Sequence, residues 1–237
     1  MGRGDNTISI MKKFLVTACL ALAFCSCGNN SHKENEKNND TEETSANIKA
    51  EIEQTVTNSI KKRLKNPESL KIESTYIKKD TLPYYFCERV ISQAKETNEA
   101  LDTYTHYKDM GYYWNDEKNA SALLLELEKA DLKSVIENEK ALTKEDPIVA
   151  YVACVRSSGT NAMGGTVSSR SIYAIDTSNT SKILCAYDID EDYIKNWYII
   201  KFVEADGESP FTTDRFGNYD TSNMSFVEQF IMDALTL

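Results

Sequence analysis

Histidine is scarce in this sequence, and hydrophobic runs long enough to cross a membrane are missing. The chain contains two histidines, and only His106 lies beyond the polar N-terminal stretch. One histidine and scattered cysteines do not supply the ligands of a zinc site. The uncharged run from Phe14 to Phe24 is shorter than the ~20 apolar residues that a spanning helix needs. The sequence therefore disfavours a zinc site and a membrane-spanning anchor.

Positive charge is also sparse. Lys and Arg total 27 against 37 Asp and Glu, the net charge is −10, and no dense run of cations stands out. Such a body repels nucleic acid and anionic lipid headgroups, so we expect no nucleic-acid partner. The hydrophobic share of 41% and the charged share of 27% are ordinary for a globular protein. The chain is long enough for one domain with a substantial core.

The N-terminus has the pattern of an export signal. Met11-Lys12-Lys13 precedes the apolar run, and Cys25-Ser26-Cys27-Gly28 follows it. This order predicts that residues 1–26 comprise upstream sequence and a signal peptide, with translation starting at either the first or the second methionine. The cysteine-containing segment resembles the lipobox of bacterial lipoproteins, in which a small residue precedes the lipidated cysteine. The resemblance implies lipid attachment at Cys27, and a plain secretory signal is the alternative.

Residues 27–44 are predicted to be the lipidated cysteine and a flexible tether. Gly28–Thr44 contains no large apolar residue, so the segment cannot bury enough surface to offset its ordering entropy. Its Asn-rich and Lys/Glu-rich style is similar to lipoproteins of Bacteroidetes, and glycine after the lipidated cysteine is similar to outer-membrane lipoproteins of enterobacteria. These resemblances imply a location in the cell envelope, with the outer membrane favoured and the N-terminal lipid as the membrane contact.

Residues 45–237 have the periodicities of a single domain. Apolar residues recur every fourth position from Ser45 to Lys65, which predicts a helix. Helical spacing also follows Pro83 and Asp116. The predicted strands are Leu70–Lys78, Ile148–Arg156, Thr166–Asp176, Lys182–Tyr187 and, as a further candidate, Trp197–Glu204.

The order of these elements predicts the α+β fold class. We expect a mostly antiparallel sheet of about four strands packed against helices, with a helical insertion after the first strand. Ile148–Arg156 is apolar on both faces, which predicts a central strand. The second inserted helix is predicted to have an apolar side formed by Ala120, Leu123, Leu124 and Leu127. Leu132, Val135 and Ile136 are predicted to continue this helix or to form a third helix after Asp131. A C-terminal helix begins after Ser225, which with Glu228 makes a capping box.

Two segments resemble parts of small bacterial envelope proteins of unknown function. Leu64–Leu70, with the sequence LKNPESL, is similar to a helix-to-strand corner in those proteins. Val155–Ile175 contains a strand, an Asn-x-x-Gly-Gly loop and a second strand, and it is similar to the hairpin that follows the corner. The resemblance supports the fold and implies no activity.

Three cysteines remain in the predicted domain, so they cannot all pair with one another. They are Cys87, Cys154 and Cys185. If the strands form a meander, Cys154 and Cys185 lie on the two strands that flank a middle one, about 9–10 Å apart and beyond disulfide reach. We therefore predict free thiols that pack as small hydrophobic side chains.

Nucleophilic catalysis has no clear candidate. On one continuous helix, His106 would lie roughly 28 Å from Cys87, which excludes a thiol–imidazole dyad. Gly159–Gly165 is glycine-rich, but it joins two strands and lacks the Lys-Ser/Thr of a phosphate-binding loop. We interpret it as a hairpin loop. No catalytic residue and no cofactor is predicted.

The acidic segment Asp188–Asp192 resembles the start of a calcium loop. Tyr193 and Ile199, however, stand where that loop needs glycine and glutamate. We interpret the segment as an acidic turn that caps the element after it. No metal site is predicted.

Aromatic side chains are the remaining candidates for a binding surface. Tyr107, Tyr112, Tyr113 and Trp114 cluster at a helix end and the loop after it. Connections lie at the surface, so at least one ring of the loop is expected to be partly exposed. Exposed rings stack on sugars or anchor protein partners. The alternative is that these rings fill the junction between helices.

The sequence predicts a membrane-anchored envelope lipoprotein that acts as a non-enzymatic interaction or accessory module. Its expected partner is an envelope protein or a glycan. The alternative function is a glycan-binding or small-molecule-binding lipoprotein that uses the aromatic cluster. The third is an envelope hydrolase, because acid–base chemistry needs only two suitably placed carboxyl groups.

Overall fold

The computed structural model describes residues 39–111, 115–160, 163–213 and 219–235. These residues form helices α1 (Asn39–Arg63), α2 (Glu88–Asp109), α3 (Asn115–Glu145), α4 (Glu191–Glu204) and α5 (Phe226–Leu235). They also form strands β1 (Lys71–Thr81), β2 (Val149–Thr160), β3 (Thr166–Asp176) and β4 (Ile183–Asp188). Short 3-10 helices occupy Pro67–Ser69 and Tyr84–Phe86.

The strands form one antiparallel sheet in the order β1-β2-β3-β4. At its centre, Cys154 of β2 is paired with Tyr76 of β1 on one side and Ile172 of β3 on the other. Helices α2 and α3 form the insertion between β1 and β2. The predicted α+β fold class is therefore confirmed, together with the four antiparallel strands, the insertion and the central position of β2.

Helices cover both faces of the sheet. On one face, Ile52, Val56 and Ile60 of α1 pack against a cluster that includes Val155. Because successive side chains of a strand point to opposite faces, Cys154 lies on the other face, in a second cluster formed with α2 to α5. The core therefore consists of two hydrophobic clusters separated by the sheet.

Helix α1 begins at Asn39, earlier than the Ser45 start that the sequence predicted. The helix thus includes residues 39–44 of the predicted tether, and residues 27–38 lie outside the described part of the chain. Polarity alone does not prevent a helix, because a helix that is already anchored by packing adds one hydrogen bond for each residue that joins it. Among the described residues, no helix is long and apolar enough to cross a membrane.

The segment Trp197–Glu204 is helical, so the prediction of a further strand is wrong. Its apolar residues lie on all sides, and periodicity therefore does not separate a strand from a buried helix. The turn before this segment favours a helix over a strand. There the Asp190 carboxylate accepts a hydrogen bond of 2.8 Å from the backbone N–H of Tyr193, which caps the first turn of a helix. Asp190 is thus the N-cap of α4, as expected for the acidic segment.

Helix α3 is one continuous helix, and its buried side differs from the predicted one. The predicted apolar side, Ala120, Leu123, Leu124 and Leu127, is exposed. The buried residues are Leu125, together with Leu132 and Ile136 from the predicted continuation of the helix. The buried side extends past Asp131 to Ile136, whereas the predicted side ends at Asp131. Only the longer of the two apolar sides packs against the core.

The C-terminal helix α5 begins as predicted. The backbone N–H of Ser225 donates to the Glu228 carboxylate at 2.9 Å, and the backbone N–H of Glu228 donates to the Ser225 hydroxyl at 3.2 Å. These reciprocal bonds are a capping box, which satisfies donors that the first turn leaves unpaired.

Candidate functional site

The candidate binding residues of the sequence fall mostly outside the described structure. Cys27, the predicted lipid attachment site, lies there, as do Tyr112, Tyr113 and Trp114. Tyr107 is described and is half-buried near the end of α2, with its ring centroid 5.7 Å from that of exposed His106. The structure therefore leaves the aromatic cluster untested.

An exposed apolar surface lies on the outer side of α3. It consists of Ala120, Leu123, Leu124 and Leu127, and we call it the leucine surface. The exposed fractions of its leucines are 61% for Leu123, 44% for Leu124 and 55% for Leu127. Their spacing of three and four residues places them side by side on the helix. Scattered exposed leucines are common in proteins, but a contiguous set is typical of an interaction site.

Carboxylates stand at both ends of the leucine surface. Asp116 precedes Ala120 by four residues, and Asp131 follows Leu127 by four, so both belong to the same side of α3. Both side chains are exposed, as is that of Glu117. The surface therefore has an apolar centre and acidic ends.

The cysteines have the positions that the sequence predicted. Cys154 lies on β2 and Cys185 on β4, the two strands that flank β3, and both thiols are free, as is that of Cys87. Burial raises the pKa of Cys154 to about 12. Burial also raises the pKa of Cys185, to about 11. Protonated thiols are poor nucleophiles, so these two side chains act as packing groups.

Two partly buried carboxylates, Glu204 and Glu228, share one lysine. Lys201 lies 3.4 Å from Glu204 and 2.5 Å from Glu228. Lys140 and Tyr84 also donate hydrogen bonds to Glu204. Burial opposes ionisation of both carboxylates, yet these donors hold the pKa of Glu204 below its usual value. The pKa of Glu228 is likewise lowered, chiefly by Lys201 acting against burial.

Both carboxylates, Glu204 and Glu228, favour the ionised form. Hydrolysis by two carboxyl groups needs one of them protonated as the general acid, which requires a raised pKa. Glu204 and Glu228 have the opposite shift. The cluster therefore serves to link α3, α4 and α5 to the 3-10 turn at Tyr84, and it gives no support to a hydrolase.

Two further candidates of the sequence have structural roles. Asp188 is held by the guanidinium of Arg63, and Asp190 caps α4, so neither points into a shared cation site. The described ranges contain no cluster of three or more His, Cys, Asp or Glu that could hold a metal ion. Thr160 and Thr166 pair across β2 and β3, so the glycine-rich segment between them connects the strands of a hairpin.

Comparisons with protein families, curated proteins and solved structures found no match to this chain.

Sequence reasoning missed the leucine surface because it took these residues as the apolar side of the helix, which ordinarily packs against the core. In the sequence, the buried side of α3 could have been told from the exposed one by the length of each apolar side. Leu125, Leu132 and Ile136 extend past Asp131, whereas the leucine surface ends before it.

Proposed function

We propose that this protein is a lipid-anchored envelope lipoprotein whose domain binds a partner protein through the leucine surface of α3. The observation that carries the proposal is the exposure of three adjacent leucines on a helix whose opposite side is already buried. Burying apolar surface contributes about 25 cal/mol per Å², so these side chains have a substantial free energy to gain from a partner. The lipid on Cys27 and the segment after it would hold this surface near a membrane.

The charges around the leucine surface define the chemistry of its partner. An apolar centre with acidic ends is complementary to an apolar patch that is flanked by Lys or Arg. Asp116 and Glu117 stand at one end and Asp131 at the other. An anionic lipid surface would be repelled by the same carboxylates.

A second copy of this chain is not a suitable partner for the leucine surface. If two copies of α3 packed along their leucine surfaces, an acidic end would meet an acidic end in both the parallel and the antiparallel orientation. Like charges brought together at the rim of an interface oppose association. The partner is therefore a different protein.

The proposal is tested by crosslinking in intact cells. A photo-reactive phenylalanine analogue in place of Leu127 should crosslink to one protein, identified by mass spectrometry, that presents an apolar patch flanked by cations. The same analogue in place of Tyr76, which is 63% exposed on β1, is the matched control and should give no such product.

A second substitution makes the crosslinking test specific. Leu123→Lys should abolish the product from position 127 without unfolding the domain, because Leu123 is exposed. High salt should weaken the product, since the charged ends contribute to binding. Equal products from positions 127 and 76, or a product that contains only a second copy of the chain, would contradict the proposal.

A further inference from the structure

Two arginines face each other across the central strands. Arg156 of β2 and Arg170 of β3 are direct partners in the antiparallel register. By strand alternation they share the face of Cys154 and Ile172, which is the face that α2 to α5 cover. Like charges placed directly opposite on neighbouring strands repel, so this pair is unfavourable unless an anion compensates it.

Asp233 of α5 compensates the pair in part. A terminal nitrogen of Arg156 donates to the Asp233 carboxylate at 2.9 Å, and the Arg156 guanidinium also lies 6.0 Å from the ring centroid of Phe230. Arg170, the cross-strand partner of Arg156, is also influenced by both charges: burial and Arg156 lower the pKa of Arg170, and Asp233 raises it. The two guanidinium groups carry two positive charges, and the Asp233 carboxylate carries one negative charge.

Several N–H groups of the pair are left without acceptors. Across the described ranges, neither terminal nitrogen of Arg170 has a hydrogen-bond partner, and the same holds for Nε of Arg156. Each of these nitrogens is shielded from solvent. Buried donors without partners are rare, and they cost about 1–3 kcal/mol each, more when charged. Such donors favour the entry of an acceptor that carries negative charge.

We propose that Arg156 and Arg170 form a binding site for an oxyanion, the carboxylate or phosphate group of a small ligand. The forked guanidinium matches the paired oxygens of both groups and suits them better than a spherical halide. The next cross-strand pair on the same face, Ser158 and Ser168, places two hydroxyl groups beside the arginines. Guanidinium and hydroxyl donors therefore lie together at a positively charged site on a protein whose net charge is negative.

An oxyanion would reach the arginine pair from the solvent at the exposed carboxylate of Asp233. The exposed fraction of the side chain is 61% for Asp233 and 34% for Arg156. An incoming oxyanion exchanges with the Asp233 carboxylate on Arg156. Binding at this spot is independent of the leucine surface on α3.

The test measures thermal unfolding of the mature full-length chain in sodium phosphate, sodium acetate and sodium chloride at equal ionic strength. We expect the unfolding midpoint to rise more in one or both oxyanions than in chloride. The phosphate and acetate arms show which group is preferred. Arg170→Gln should remove the extra rise.

Controls separate a site from a general salt effect. Anions of this type also act on the whole protein surface, and that effect is common to all variants. Arg89→Gln alters an exposed arginine of α2 and should keep the full rise. Arg170→Lys keeps the charge but loses the fork, and calorimetric titration with the preferred anion should show at least tenfold weaker binding. Equal responses of the wild type and Arg170→Gln, or a chloride response as large as the others, would overturn the proposal.

Discussion

Arg63 in the last turn of α1 lies 2.6 Å from Asp188 at the end of β4. A second guanidinium nitrogen of Arg63 donates to the hydroxyl of Tyr173 on β3 at 2.5 Å. Ser171 donates to the other oxygen of Asp188 at 2.6 Å. Apolar packing alone is not directional, so these bonds define where the end of α1 rests on the sheet.

We expect Asp188→Asn to lower the free energy of unfolding by about 1 kcal/mol, since exposed ion pairs contribute at most about that much. Both side chains are about half-exposed, and solvent screens their attraction. Urea unfolding measures the change, and salt should reduce it. Glu191→Gln is the control, because the Glu191–Lys195 pair lies within one helix, and its effect should be smaller. Equal losses in the two variants would mean that the Arg63 network adds nothing beyond an ordinary surface pair.

The two sides of α3 predict opposite outcomes for the same substitution. Leu132→Ala removes a fully buried side chain and should cost about 2–5 kcal/mol of stability. Leu127→Ala, on the leucine surface, should change stability by less than about 0.5 kcal/mol. Chemical denaturation of both variants checks the assignment. A large loss in Leu127→Ala would place that residue in the core and remove the basis of the proposed docking surface.

The last residue of β3, Asp176, has a carboxylate with a strongly lowered pKa. Hydrogen bonds from the hydroxyl and the backbone N–H of Ser178, together with Lys182, lower the pKa of Asp176 to about 2. A carboxylate whose pKa is lower in the folded state stabilises the fold above its unfolded pKa, and this contribution is lost as the pH falls towards 2. An NMR titration of the Asp176 carboxyl group should give this value. Ser178→Ala should raise it towards the ordinary range, and an unchanged titration would contradict the hydrogen-bond explanation.

The lipid anchor is tested on the mature N-terminus. Mass spectrometry should find a lipid on Cys27 and no residue before it. Cys27→Ser should release the protein from the membrane fraction, whereas Cys25→Ser should not. A lipid on Cys25, or an unmodified N-terminus, would show that the lipobox interpretation is wrong.

Much of the sheet was predictable from local pattern. β3 has the predicted bounds of Thr166–Asp176, and the acidic turn before α4 was correctly interpreted as a cap. Alternation and capping depend on residues that are near in sequence, so one chain displays them. The helix at Trp197–Glu204 was missed because a helix that is apolar on all sides has no distinctive period.

By itself, the sequence determined the α+β class, an antiparallel sheet of about four strands and the free thiols on the strands flanking β3, because these follow from local periodicity and turn residues. Only the tertiary structure decided which apolar side of α3 faces the core. Both sides have helical spacing, and the choice depends on the helices against which α3 packs. The chain alone likewise did not indicate that Arg170 lacks acceptors, since hydrogen-bond satisfaction is set by residues that are far apart in sequence and meet only in the folded protein.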